Sequence, residues 1–111
     1  MAYDEDLAAR LRQLLADEPN VTEMKMFGGL GFLVAGNMAV AASGQGGVLV
    51  RVDPSLSEAL LKRTKAQPLV MRGREMPGWL RVGGVDVRTK RQLLSWVERG
   101  VGYARSLPPK R

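Results

Sequence analysis

Between Lys25 and Val40 the chain reads KMFGGLGFLVAGNMAV, a set of apolar runs cut by Gly28, Gly29, Gly31 and Gly36, with a Gly36-Asn37 pair between two of them. Glycine and asparagine tolerate the positive φ that tight turns require, so apolar runs separated by them read as strands folded back on one another. The segment predicts an antiparallel meander. The glycines also let the backbone approach another element closely, which is a reason of folding before it is one of binding.

The flanking sequence supplies helices. Leu7, Leu11, Leu14 and Leu15 make one apolar stripe over Asp4–Ala16, with Asp4, Glu5 and Asp6 at the positive end of the helix dipole and Pro19 beyond its end. Strands are expected at about 21–27, 30–35, 38–43 and 47–52, the last with Val48, Val50 and Val52 on one face and Leu49 and Arg51 on the other. Asp53 then caps a second helix with Pro54 at its first position, and Leu56, Ala59 and Leu60 line one side. Leu69–Met71 and Trp79–Val82 read as short strands around a loop, Arg72–Gly78, and Val85–Val87 reads as a third short strand or a connection. A long helix starts near Thr89 or Asp86, buries Leu93, Val97, Val101 and Ala104, and stops at Pro108-Pro109, leaving Lys110-Arg111 as a frayed tail. The expected fold is α+β, a two-layer sandwich of three helices on an antiparallel sheet of about five to six strands, in the order α-β-β-β-β-α-β-β-α, within one domain of 111 residues.

Composition removes several chemistries. The chain has neither Cys nor His, so disulfides, Ser-His-Asp and Cys-His units and His-ligated metals are out of reach. The acidic, amphipathic N-terminus is not a secretory signal, and no apolar run approaches the roughly 20 residues that span a bilayer, so a cytoplasmic, membrane-free protein is expected. Charge is divided unevenly. Residues 1–61 hold 4 basic and 8 acidic side chains, whereas residues 62–111 hold 13 basic and 3 acidic. That asymmetry makes nucleic acid or another acidic partner a candidate, with Arg72, Arg74, Arg81, Arg88, Lys90 and Arg91 as the expected face, although arginines also simply solvate helix surfaces.

Glycine-rich stretches do not make a nucleotide site. Gly29-Leu30-Gly31-Phe32-Leu33-Val34 and Gly44-Gln45-Gly46-Gly47-Val48-Leu49 both lack the last glycine of the dinucleotide fingerprint, and Asn37 stands where a phosphate loop needs lysine. Asp4–Asp6, Glu75 and Glu98 read as capping, solvated or salt-bridged charges, and no alternating-carboxylate calcium loop is present. Lys25 stands among Met24, Met26 and Phe27. A half-buried lysine there would be a base or nucleophile, and an edge-strand lysine would keep its ammonium wet and block strand addition. Trp79 has Arg72, Arg74 and Arg81 nearby in sequence and is the aromatic residue best placed to stack on a base or cation.

Met26-Phe27-Gly28-Gly29, Gly31-Phe32, Gly36-Asn37-Met38, Val50-Arg51-Val52, Met76-Pro77-Gly78-Trp79, Trp96-Val97 and Ala104–Lys110 together resemble the TfoX N-terminal domain family, TfoX/Sxy, over nearly the whole chain. The resemblance implies a two-layer α/β domain with an antiparallel sheet. Some members are bacterial regulators of natural competence that act with the cyclic-AMP receptor protein at promoters, and those longer members add a C-terminal domain. The family contributes no catalytic residue; Lys25, Phe27, Gly28, Gly29 and Trp79 match its most distinctive positions.

The leading expectation is therefore a small non-enzymatic regulatory module without a cofactor, acting through a protein partner, a transcription regulator or a second copy of itself. Direct nucleic-acid binding through the basic half is the alternative. A small enzyme using Lys25 or Tyr103 in a pocket between sheet and helix is the third reading.

Overall fold

Asp4 opens the first helix as its cap, accepting the backbone N–H groups of Asp6 and Leu7 at 2.9 and 3.1 Å, which satisfies donors that a helix start leaves free. The computed structural model describes residues 3–26 and 28–110; Phe27 lies outside the described residues. Helix α1 spans Glu5–Leu14, strands β1 Val21–Met26, β2 Gly29–Val34, β3 Asn37–Ala42 and β4 Val48–Arg51, helix α2 Pro54–Arg63, strands β5 Gln67–Met71 and β6 Arg74–Val82, and helix α3 Lys90–Ser106 after a 3-10 turn over Gly84–Val87. The strands form one antiparallel sheet of six in the order β1-β2-β3-β4-β6-β5. The expected order of elements and the α+β class both hold.

Alternation decides which side of the sheet carries the helices. Val48 and Val50 of β4 share a core with Phe32 of β2, Val40 of β3 and Leu80 of β6, and Leu11 of α1 and Leu93 and Val97 of α3 close it from above. Helix α3 settles unusually close to β3 because Gly100 has no side chain. A Cβ there would strike the Ala39 carbonyl oxygen and come within 2.9 Å of Val40 Cγ1. Thr89 fixes where α3 begins: its hydroxyl accepts Gln92 N–H while the Gln92 side chain accepts Thr89 N–H, a capping box. Asp53 caps α2 as expected, accepting both the N–H and the hydroxyl of Ser55. These hydrogen bonds, the backbone one first, hold its carboxyl below the usual aspartate value.

Four local expectations are revised. The β2–β3 turn is Ala35-Gly36, one residue before Gly36-Asn37; both residues have positive φ, 50° and 82°, as a type I′ hairpin turn demands. Asn37 instead enters β3, and its buried side chain donates to Pro108 O at 2.9 Å. Of the tail expected to fray, Lys110 lies against this turn, its N–H donating to Ala35 O at 2.8 Å, and Arg111 lies outside the described residues. The 72–78 loop shrinks to Arg72-Gly73, again both at positive φ, and residues 74–78 belong to β6. Pro77 is accommodated because Met76–Trp79 bulge opposite Leu69, between the Val70↔Glu75 and Pro68↔Leu80 pairs, where the ladder needs no donor. Of the two readings of Val85–Val87, the connection holds: it lies within the 3-10 turn Gly84–Val87. In α2 no residue is fully buried; Leu60 and Leu61 lean on the core, whereas Leu56 is exposed.

Ala35 at φ 50° holds a conformation that costs an ordinary residue about 1 kcal/mol. Ala35→Asn places a left-handed-tolerant residue before Gly36 and should raise stability by about 1 kcal/mol, read as a rise of a few degrees in Tm.

Candidate interaction surface

The face of the sheet turned away from α1 and α3 also carries apolar side chains. Leu33 of β2, Met38 and Ala41 of β3 and Leu49 of β4 form a second buried cluster, bordered by the half-buried Met26, Leu69 and Trp79. Gly31 makes room for this arrangement. The Met26 and Met38 thioethers cross over it, and a Cβ there would meet Met26 Sδ at 2.9 Å and Met38 Sδ at 3.2 Å. Flexible thioethers fill an irregular surface that none of the described helices seals. Beyond the cluster, Met24 and Val70 are about half exposed and Met76 is exposed by 37%.

Cations border the same face. The Arg51 guanidinium lies 5.8 Å from the centre of the Trp79 ring and 5.6 Å from that of Tyr103, within the range of cation–π attraction to both. Arg51 pairs with Trp79 across β4 and β6, and Leu49 pairs with Arg81. Further along, Arg81 and Arg72 reach a half-open depression of about 350 Å³, with Leu49, Leu69 and Met71 as apolar lining and Ser43 and Gln45 at its polar side. Among the described residues, neither arginine lies in an ion pair with a carboxylate. The depression thus presents unneutralised guanidinium groups next to apolar surface.

The basic residues expected to share one face are divided. Arg72 and Arg81 line the depression just described, and Arg74 is exposed at the start of β6. Arg88, Lys90 and Arg91 lie at the beginning of α3, on the side that carries the helices. There Arg10 of α1 donates to Arg88 O at 3.1 Å, and Lys90 shares a separate depression with Arg10 and Gln13. The division follows from topology: β5 and β6 lie at the far edge of the sheet, and α3 then returns across its other side.

The family-motif residues are placed as follows. Lys25 is exposed on β1, the outermost strand, opposite Leu30 and on the helix-bearing side with Glu23. Glu23 accepts both Arg12 Nε and Nη2, at 2.7 and 2.9 Å, and this hydrogen bonding holds its carboxyl below the usual glutamate value. Gly28 has φ 74° and open space around it, whereas Gly29 packs under the backbone of Ala42 and Gly44. Trp79 sits on the face without helices. Tyr103 borders a groove of about 290 Å³ between α2 and α3, beside Leu56, Leu60 and Arg99. Among the described residues no three His, Cys, Asp or Glu side chains gather as metal ligands would. None of the described helices is long and apolar enough to cross a membrane. Sequence reasoning missed Leu69, Arg51 and the cluster around Met38. Only the Met26, Gly31 and Met38 positions in the meander signalled it.

A helix-backed antiparallel sheet with one face left open defines an α+β two-layer protein. The model of the TfoX N-terminal domain family matches residues 13–104, and the chain belongs to that family. Neither the curated proteins nor the solved structures contain a match.

Proposed function

We propose that this chain is a non-enzymatic regulatory module that docks a protein partner on the helix-free face of its sheet. The observation that carries the reading is the apolar cluster of Leu33, Met38, Ala41 and Leu49, bordered by Leu69 and Trp79 on a face that none of the described helices covers. The cluster itself is buried, but the partly buried Met26, Leu69 and Trp79 at its border and the half-exposed Met24 beyond them leave apolar surface in reach of solvent, and such surface rimmed by polar groups marks interaction sites. Arg72 and Arg81, unpaired beside Leu69, select a segment whose apolar side chains are flanked by carboxylates. Lys25 stands on an exposed outer strand, where nothing excludes water from its ammonium, so catalysis through it has less support.

Selection from a random-peptide display library on the full chain should return apolar sequences with acidic flanks. Leu69→Asp, and separately the pair Arg72→Glu/Arg81→Glu, should weaken those peptides at least about tenfold, which is about 1.4 kcal/mol, while Arg88→Glu/Lys90→Glu leaves them unchanged. The opposite pattern would replace this reading with the nucleic-acid one. In that pattern a labelled DNA duplex binds with a steep salt dependence and is lost in the Arg88/Lys90 variant.

A further inference from the structure

The two edges of the sheet differ. Strand β5 is blunted by Pro68, which has no N–H to offer. Strand β1, at the other end of the sheet, has no proline, and its residues Thr22–Lys25 are all exposed. Its backbone register is fixed by the hairpin to β2, which pairs Met26 with Gly29, and by Ala35 N–H donating to Asn20 O at 3.0 Å. Hydrogen-bonded and non-hydrogen-bonded pairs alternate along an antiparallel ladder. The even-numbered residues therefore bond to β2, and Val21, Glu23 and Lys25 turn their N–H and C=O groups to the open edge.

We propose that β1 pairs antiparallel with β1 of a second copy of this chain, about a two-fold axis through Met24, making one continuous sheet from two. In this register the outward backbone groups of Glu23 meet those of the partner's Lys25, and the reverse pair forms symmetrically. The side chains agree with the backbone: each Glu23 carboxylate stands opposite the partner's Lys25 ammonium. Sliding the strands to the next register that keeps the backbone bonds places Glu23 against the partner's Glu23, or Lys25 against the partner's Lys25. Like charges directly opposite are destabilising, so both alternatives are disfavoured. Glu23 keeps its Arg12 bonds, because a carboxylate has acceptor sites to spare.

Lys25 then has two effects. An ammonium on an edge strand discourages arbitrary strands from adding, and a glutamate brought opposite it by the same sequence removes that obstacle for its own copy alone. Met24, half exposed, meets the partner's Met24 at a close, non-hydrogen-bonded position on the helix-free face. The interface is isologous, as closed dimers require. It lies away from the Leu69–Arg81 depression, so it stands or falls independently of the function proposed above.

The test uses the full chain in sedimentation equilibrium. The wild type should dimerise, Lys25→Glu and Glu23→Lys should each weaken association at least about tenfold, and an equimolar mixture of the two variants should associate again. Circular dichroism confirms that each variant is folded. A chain without cysteine permits a second, register-specific readout: Met24→Cys should cross-link to its own copy under mild oxidation, and Thr22→Cys should do so only with Met26→Cys. A monomeric wild type, undiminished dimers in Lys25→Glu, or self-linking by Thr22→Cys as fast as by Met24→Cys overturns the proposal.

Discussion

Gly29→Ala is expected to cost about 3 kcal/mol, and Gly28→Ala, one residue earlier, about 1–2 kcal/mol. The two glycines are adjacent in sequence and are needed for different reasons. Gly28 has φ 74° with open space around it, so alanine there meets only the intrinsic penalty of the left-handed region. Gly29 begins β2, buried, and a Cβ on it would collide with the Ala42 carbonyl oxygen and come within 3.1 Å of Gly44 N and 3.2 Å of Ala42 C. All three obstructing atoms are backbone. They cannot rotate away as a side chain can, and moving them means prising the start of β2 from the end of β3. In denaturant titration the Gly29→Ala midpoint should fall much further than that of Gly28→Ala, with similar slopes in both. Equal losses would mean that backbone conformation, not the close approach of β2 to β3, explains the pair.

Local chemistry was readable from the sequence wherever it acts over a few residues. Asp53-Pro54 announced a capped helix, and the Val48, Val50, Val52 alternation separated the two sides of β4; both appear as expected. Misreadings arose where a residue's role depends on a distant partner. Gly36-Asn37 looked like the turn, but Asn37 is drawn into β3 by Pro108, far away in sequence. Pro77-Gly78 looked like a break, but a bulge opposite Leu69 lets β6 run through them. Gly100 drew no reading from the sequence, yet it is the contact that seats α3 on β3.

The proposed interaction surface was legible only in part, for the same reason. Trp79, Arg72 and Arg81 stood out as residues, but their relation to Leu69, Leu49 and Arg51 is set by pairing between strands. The charge count was a poorer guide. Thirteen basic side chains in residues 62–111 suggested one cationic face, yet strands β5 and β6 and helix α3 place them on different sides of the sheet. A net charge describes a segment, whereas binding responds to where the chain's path leaves each cation.

Phe32→Ala should be the most damaging truncation, and comparison with Trp79→Ala separates the scaffold from the surface. Phe32 is fully buried on β2, level with Glu23 on β1 and Val40 on β3 and covered by the helical layer. Its removal empties a ring's volume that close-packed neighbours refill only partially, at a cost of about 3–5 kcal/mol. Against a total of roughly 5–15 kcal/mol for a small domain, that is a large fraction. It should lower Tm by about 15 °C. Trp79 lies on the opposite face, half-buried, with Arg51 near its ring. Truncating it removes apolar contacts worth about 1–2 kcal/mol, so Tm should fall by only a few degrees, while peptides selected on the wild-type chain should lose most of their affinity. The crossed outcome carries the meaning: Phe32→Ala, at temperatures where it remains folded, should bind those peptides normally. If Trp79→Ala also bound them normally, the helix-free face would be a second core only, and docking would have to be sought elsewhere on the molecule.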